Sequence, residues 1–561
     1  MVQDDTSPAI LESTLGNRCE QLYSLSSSFG CYLSDPEILG TIQVSTVNKV
    51  LKATATPRSD THDRDIELLN SPTLKTNLCP SYTWYHTWSA NEPHKMDIKS
   101  DMPNYYDCLI IGAGISGINV AYRLQEQTPN KSYAILEARD SLGGTWDLFR
   151  YPGIRSDSDM YTFGFEFYPW KEYRTMADGA SIKEYLKDAA NNFGIDKHIR
   201  YRHKLQSANW STDQQNWSLK VDTPQGEQNL RSRFIVFCTG YYDFNEAMPA
   251  TIPGIKDFQG KVVHPQFWPE DLDYENKDVV IRSPTYIAAV PQRDNLSYWP
   301  AKFLPVSWTY KLRRIQFLIL PFLFFKFCKA FPDRARRLLK KGAASQLPEG
   351  YPLEPNFEPN YGPWDQRLCA SPDGDFYKAI KDGQAEVITA SIKQVTEKSI
   401  HLEGSDRVLA PDIIVTATGL KLIMAGGAKL SVDNEPLEVP QKHLWKGAMI
   451  EDVPNAAIVI GYTNASWTLG SDATAQFVTR LINHMDKNNM TQAVPRVDKN
   501  SDMQDQSVLN LSSTYIVKAE GSLPRAGNKA PWLPRSHYLR DLWEMKFGSI
   551  THDMQFSRIS T

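Results

Sequence analysis

The chain has 561 residues, 11% of them aromatic, with 35 prolines and a net charge of −4. That length allows two or three domains around a large core, and the composition is globular rather than disordered. The acidic balance gives no electrostatic footprint for nucleic acid. Seven scattered cysteines without a C-x-x-C pair argue against a metal site or disulfide framework, and so for a reducing, cytoplasmic setting.

Residues 1–100 are rich in Ser, Thr, Asp and Asn and show no sustained period, so they are expected to form a weakly ordered extension. Met1 to Pro8 is polar and acidic, unlike a signal peptide.

The first strong pattern starts at Tyr106. Tyr106 to Ile111 reads as a buried strand, followed by Gly112-Ala113-Gly114-Ile115-Ser116-Gly117 and a helix from Ile118 to Gln125. Gly112 allows the tight turn, Gly114 lets backbone approach a pyrophosphate, and Gly117 lets helix and strand pack closely. The phosphates would then sit at a positive helix N-terminus. A second apolar strand, Tyr133 to Leu136, ends at Glu137, about twenty residues after Gly117, where a dinucleotide ribose takes a carboxylate. Gly143 and Gly144 bring backbone close to a ligand again, and Trp146, after Thr145, offers a flat surface beside it. Arg150 to Tyr161, containing Asp157, mixes polar and aromatic residues in a way that suits a site lining better than a core.

Further along, residues 180–193 predict an amphipathic helix with Ile182, Tyr185, Leu186 and Ala189 on one face. Gln206 to Ser211 and Trp217 to Val221 predict a small meander. Phe234 to Gly240 and Asp412 to Gly419 are near-twin strands, each ending in a small-residue turn, which fits one strand in each of two nucleotide-binding domains.

Between them, Phe258-Gln259-Gly260-Lys261-Val262-Val263-His264-Pro265-Gln266-Phe267-Trp268-Pro269 matches F-x-G-x-x-x-H-x-x-x-W-P. On this motif the chain resembles the type I Baeyer–Villiger monooxygenases. Gly143 to Tyr161, Pro363 to Cys369 and Gly461 to Leu469 resemble the subgroup containing the bacterial ethionamide-activating monooxygenase, and the likeness spans about residues 102–550. The resemblance implies an α/β protein with two Rossmann-like dinucleotide-binding domains of the flavin monooxygenase type, the second truncated, and a helical insert. The expected divisions are an extension (1–100), the first part of the FAD domain (101–256), an incomplete NADP-binding-like domain (257–295 and 350–400), the insert (296–349), the second part of the FAD domain (401–500) and a tail (501–561).

The resemblance also implies FAD and NADPH as cofactors, O2 as co-substrate and a small ketone, thioether or amine as substrate. It implies Baeyer–Villiger oxidation through a C4a-peroxyflavin, with S- or N-oxygenation as the alternative. Gly112, Gly114, Gly117, Glu137, Gly144, Thr145, Trp146, Asp157, Tyr161, Ser466 and Trp467 are assigned by it to FAD, and Arg282 to the 2′-phosphate of NADPH. Arg367 is the implied catalytic residue, since a fixed guanidinium stabilises an anionic peroxide. Asp157 would pair with it, while His264 and Trp268 would couple the domains.

One departure stands out. Relatives place a second Gly-x-Gly-x-x-Gly after the strand Lys277 to Ile281, but here Ile281 runs straight into Arg282-Ser283-Pro284-Thr285-Tyr286. A glycine loop, a helix and most of a strand are missing. A lost coding segment, a defective isoform and a flavoprotein with another reductant are the open accounts; the last two allow a flavin-binding protein without NADPH-driven turnover.

Trp308 to Lys341 reads as helical, with an apolar run from Ile315 to Phe325 too short to span a bilayer and broken by Pro321. An insert packing over the substrate pocket is favoured over contact with a membrane surface. At the other end, Asp472 to Met485 and Ser536 to Phe547 predict the last helices.

Overall fold

The computed structural model describes residues 40–44 and 104–559, apart from 173, 250, 283–285, 294–302, 360, 366–367, 499–500 and 510–520. Most of residues 1–100 therefore lie outside the description, as does Arg367.

Two sheets carry the architecture. The larger has nine strands: β2 (Tyr105–Ile111), β3 (Tyr133–Glu137), β4 (Ile199–Tyr201), β5 (Lys204–Ser211), β6 (Asn216–Thr223), β7 (Gly226–Phe237), β12 (Lys429–Val432), β13 (Glu435–Pro436) and β14 (Ala456–Ile458). Its parallel centre is β7–β2–β3–β4, with Cys108 beside Tyr133 and Phe234 in register. Residues 108–110, 135 and 235–236 are fully buried, so these runs are continuously apolar rather than alternating. The meander β5–β6–β7 is antiparallel, and Trp210 and Trp217 face each other across it at 5.6 Å.

Helices α1 (Ile115–Gln127), α2 (Gly179–Asn192) and α5 (Trp467–Lys487) build one core with this sheet, through Ile118, Leu124, Ile182, Leu186, Phe477 and Leu481. Each such side chain contributes about 1.5–3 kcal/mol when taken from water. Asp178 caps α2 by accepting from the Ser181 amide at 2.8 Å. A buried ion pair at 2.8 Å, Arg123 with Asp472, joins α1 to α5. Removing either partner would strand a charge in the core.

The smaller sheet has five strands: β1 (Gly40–Val44), β8 (Lys261–Val263), β9 (Val279–Arg282), β10 (Ala385–Thr389) and β11 (Ile413–Val415). Its order is β10–β1–β9–β11–β8, with β8, β11 and β9 parallel. β1, from the N-terminal extension, runs antiparallel between β9 and β10, pairing Ile42 with Ile281 on one side and Val387 on the other. It covers the side of β9 that faces away from β11. Five residues without a period gave this strand no signal in the sequence.

The insert is α3 (Val306–Ala330) followed by α4 (Pro332–Gln346), bent 118° from it. The helix runs through Pro321 instead of breaking there, and the break falls at Phe331, whose amide closes on Phe327. A last helix, α6 (Tyr538–Phe547), packs Tyr538 and Leu542 near Leu318 of α3.

Candidate active site

The first glycine loop is sterically closed to a side chain at Gly112 and Gly117. Gly112 has φ +105°, and a Cβ there would lie 2.6 Å from the Cys238 carbonyl oxygen. A Cβ on Gly117 would lie 2.0 Å from the Gly112 carbonyl oxygen. α1 begins at Gly114 with no side-chain cap and no acid in its first turn, so its amides point to whatever lies in front of them. Gly144, at φ +56°, brings its backbone against that of Gly114.

Glu137 closes the turn from the far side. Its carboxylate is buried and accepts from the amides of Ala113 (2.7 Å) and Arg139 (2.9 Å). Burial nonetheless raises its pKa above the usual carboxylate value. Asp147 behaves in the opposite way. Burial alone would raise it, but hydrogen bonds from Lys183 (2.6 Å) and Arg139 (2.6 Å) hold its carboxyl below the usual range. This triad anchors the Gly143–Gly144 turn to α2. It had no sequence signal beyond the acid itself, because its cations come from residues 139 and 183.

Gly112, Gly114, Glu137 and the Gly143–Gly144 turn line one cavity of about 880 Å³. Of the residues predicted for the flavin, Gly112, Gly114, Glu137, Gly144, Thr145, Trp146, Asp157 and Trp467 all reach it. Gly117 lies behind the loop, as its packing role requires. Trp467 heads α5, donates its indole N–H to Ser116 Oγ at 3.0 Å, and stacks on Tyr241 at 5.0 Å. Only a glycine fits beneath that indole, since a Cβ on Gly461 would lie 2.3 Å from the ring.

Two predicted residues stand back from the cavity. Ser466 is buried with its hydroxyl 2.6 Å from that of Thr162. Tyr161 turns toward the insert: its hydroxyl accepts from Arg313, its carbonyl accepts from Arg314 at 2.5 Å, and its ring stacks on Phe317 at 5.1 Å. Next to it, Asp159 caps the short helix Met160–Phe163 and accepts from the Thr162 amide and hydroxyl at 2.8 and 2.7 Å. Its enclosure pushes the carboxyl up to about 6.

The fingerprint segment stands where the two sheets meet. His264 lines the cavity, accepts from the Gln266 amide through Nδ1 at 3.2 Å, and so donates from Nε2 to the Gly419 carbonyl, also 3.2 Å away. Burial lowers its pKa, which favours this neutral form. Gln266 donates to the Asp243 carbonyl at 2.7 Å, and Trp268 packs with Tyr274 and against the Phe149–Tyr151–Leu420 cluster.

The cradle, the buried acid and the cavity they line fit FAD. The second sheet shows no counterpart among the described residues: β9 is followed by the strand Ile287–Val290 and not directly by a helix, and the side chain of Arg282 lies outside the description. Among the described residues after β9 there is thus no glycine loop and helix start to match the first cradle.

Comparison with known proteins decides the family. FAD-containing monooxygenase EthA of Mycobacterium tuberculosis is 41% identical over 476 residues, covering 80% of this chain and 97% of that protein. The chain belongs to the FAD-containing monooxygenases. The probable FAD-binding monooxygenase AlmA of Acinetobacter is 40% identical, over 79% of this chain and 95% of that protein. The model for the NAD(P)-binding Rossmann-like domain matches residues 110–176, which hold the first glycine loop. Among solved structures, an oxidized steroid monooxygenase bound to NADP superposes with a TM-score of 0.61 at 18% identity, over 81% of this chain and all of that one. A cyclohexanone monooxygenase bound to ε-caprolactone gives 0.59 at 16% identity, over 81% of this chain and 100% of that one. The two-domain flavin monooxygenase fold of this family member is thus shared with enzymes of very different sequence.

Proposed function

We propose that this FAD-dependent monooxygenase carries out Baeyer–Villiger oxidation, converting a small ketone to an ester or lactone with NADPH and O2. The observation that carries the reading is the fingerprint in place. His264 and Trp268 stand at the junction of the sheets, with His264 on the wall of the flavin cavity. Bound there, FAD supplies the oxygen-activating chemistry.

The protein's own residues hold and seal the site. Glu137 and the amides at the start of α1 take the ribose and pyrophosphate, and Trp467 and Trp146 wall the cavity. Asp157 lines the same cavity and is proposed to orient Arg367, whose guanidinium would stabilise developing negative charge. Arg282 is proposed to keep its contact with the NADPH 2′-phosphate, without the glycine loop that accompanies it in relatives. A second reading, S- or N-oxygenation in the same cavity, shares every residue named here. The missing second cradle favours a third, in which the flavin is bound but NADPH does not reduce it.

Anaerobic mixing separates these. Bleaching of the flavin by NADPH as well as dithionite, followed in air by ester or lactone from a ketone panel, is the expected result. Turnover of thioethers or amines without ketone products would replace Baeyer–Villiger chemistry by heteroatom oxygenation. Bleaching by dithionite alone would leave a flavin-binding protein.

A further inference from the structure

α3 has two faces of opposite kind. Toward the protein, Thr309, Arg313, Arg314 and Cys328 are buried, and the two arginines hold the Tyr161 turn. On the other side, Trp308, Leu312, Ile315, Ile319 and Leu323 recur at the three- and four-residue spacing that puts side chains on one helical face. All five are exposed, Trp308 by 63% and Leu323 by 54%. A packed insert has no use for such a stripe left in water; it marks an interaction face.

Charge identifies the partner. α3 and α4 carry five Lys or Arg each, against Asp333 as their single acid, in a chain whose net charge is −4. Lys329 is paired with Asp365, and Lys340 with Glu354 and Glu358. Lys311, Lys326, Arg334, Arg337 and Lys341 are exposed, with no acidic partner within 4.0 Å among the described residues. A second copy of the chain meeting this face through its own would set cations against cations. No single described helix is long and apolar enough to cross a bilayer. An amphipathic helix of this kind, with a tryptophan near one end and lysines at its edge, suits the plane where headgroups meet acyl chains.

We propose that α3 seats the protein on membrane surfaces containing anionic lipid. Trp308, Leu312, Ile315, Ile319 and Leu323 enter the headgroup boundary, while Lys311, Lys326, Arg334, Arg337 and Lys341 meet lipid phosphates. This reverses the preference drawn from sequence, because the apolar face assigned to packing over the pocket is turned outward. It is independent of the reaction proposed above.

Flotation of the full-length, flavin-loaded protein with lipid vesicles tests it. Vesicles with about one-third phosphatidylserine should carry the protein upward, less so in high salt, and phosphatidylcholine alone should carry little. Ile315→Asp with Ile319→Asp should lower recovery about tenfold, with flavin content and melting temperature unchanged. Lys311→Glu with Lys326→Glu should lower it at least about fivefold on the anionic vesicles only. Absence of flotation, or flotation unchanged in both variants, would overturn the proposal. So would a dimer in sedimentation velocity that the Ile315→Asp, Ile319→Asp variant abolishes without any vesicle binding, since a second copy would then own the face.

Discussion

The two nucleotide halves solve the same folding problem with unequal means. In the first, strand, glycine loop, helix and acid follow one another along the chain, and the loop is so tight that a Cβ on Gly117 would overlap the Gly112 carbonyl. In the second, no glycine loop or helix directly follows β9 among the described residues, and its free side is covered by β1 from the far N-terminus. A parallel sheet needs a crossover connection for each added strand, whereas an antiparallel strand can be brought in from elsewhere. The difference teaches that a sheet tolerates replacement of a strand, since any backbone can satisfy its edge. A phosphate cradle does not, since it needs amides at one helix start.

The first half should break completely at one atom. Gly117→Val should yield protein with at least about tenfold less flavin, read from the ratio of visible to ultraviolet absorbance, because the loop cannot form around the new side chain. Full flavin content would refute the assignment of this loop to FAD.

The second half should break through β1. Lying between two strands, each of its amides faces a partner on one side or the other, so Ile42→Pro removes a ladder bond inside the sheet. A fall in melting temperature of several degrees, about 5 °C, is expected, together with new protease cuts within residues 255–282 or 385–415. Flavin content should stay unchanged, which keeps the two halves distinct. An unaltered melt and digest would mean that β1 does not hold this sheet together.

The smallest effect concerns the cost of the first half's ordered wall. The Asp159 carboxyl is raised to about 6 from an ordinary value of 3.8, so the folded protein binds its proton more tightly than the unfolded chain does. Stability contributed by this group is therefore full at low pH and is lost as pH rises from about 4 to about 6. Asp159→Asn keeps a capping residue and removes that loss. It should raise the melting temperature by about one or two degrees at pH 7 relative to wild type, and by less at pH 4.5.

How much of this could be read from the residues differs between the halves in the same way. β2, α1, β3 and Glu137 are contiguous, so their spacing alone showed the cradle, with helix ends shifted by two or three residues. α5 begins at Trp467, earlier than the apolar period suggests, because Ser466, Thr468 and Ser471 are buried polar residues that hydropathy counts as surface. Pro321 was read as a break, yet an exposed helix side tolerates it. The Asp147 triad and β1 were illegible because their partners are set by tertiary structure, and nothing in Gly-Thr-Ile-Gln-Val names β9 and β10 as neighbours.

β1 also makes the smaller sheet depend on distant parts of the chain. It is made before the flavin cradle, but its partners β9 and β10 emerge only after residues 279 and 385. The chain between β1 and β9 contains all of β2 to β8, so the loop that β1 closes encloses most of the first half. Closure of so long a loop costs little more than that of a moderate one, since the entropy grows only with the logarithm of length. It is slow, however, because the contacts are distant in sequence. The five-residue strand is thus a latch that ties the far N-terminus to strands made much later in the chain. Until it shuts, both β1 and the bare edge of β9 are open to pairing with other chains.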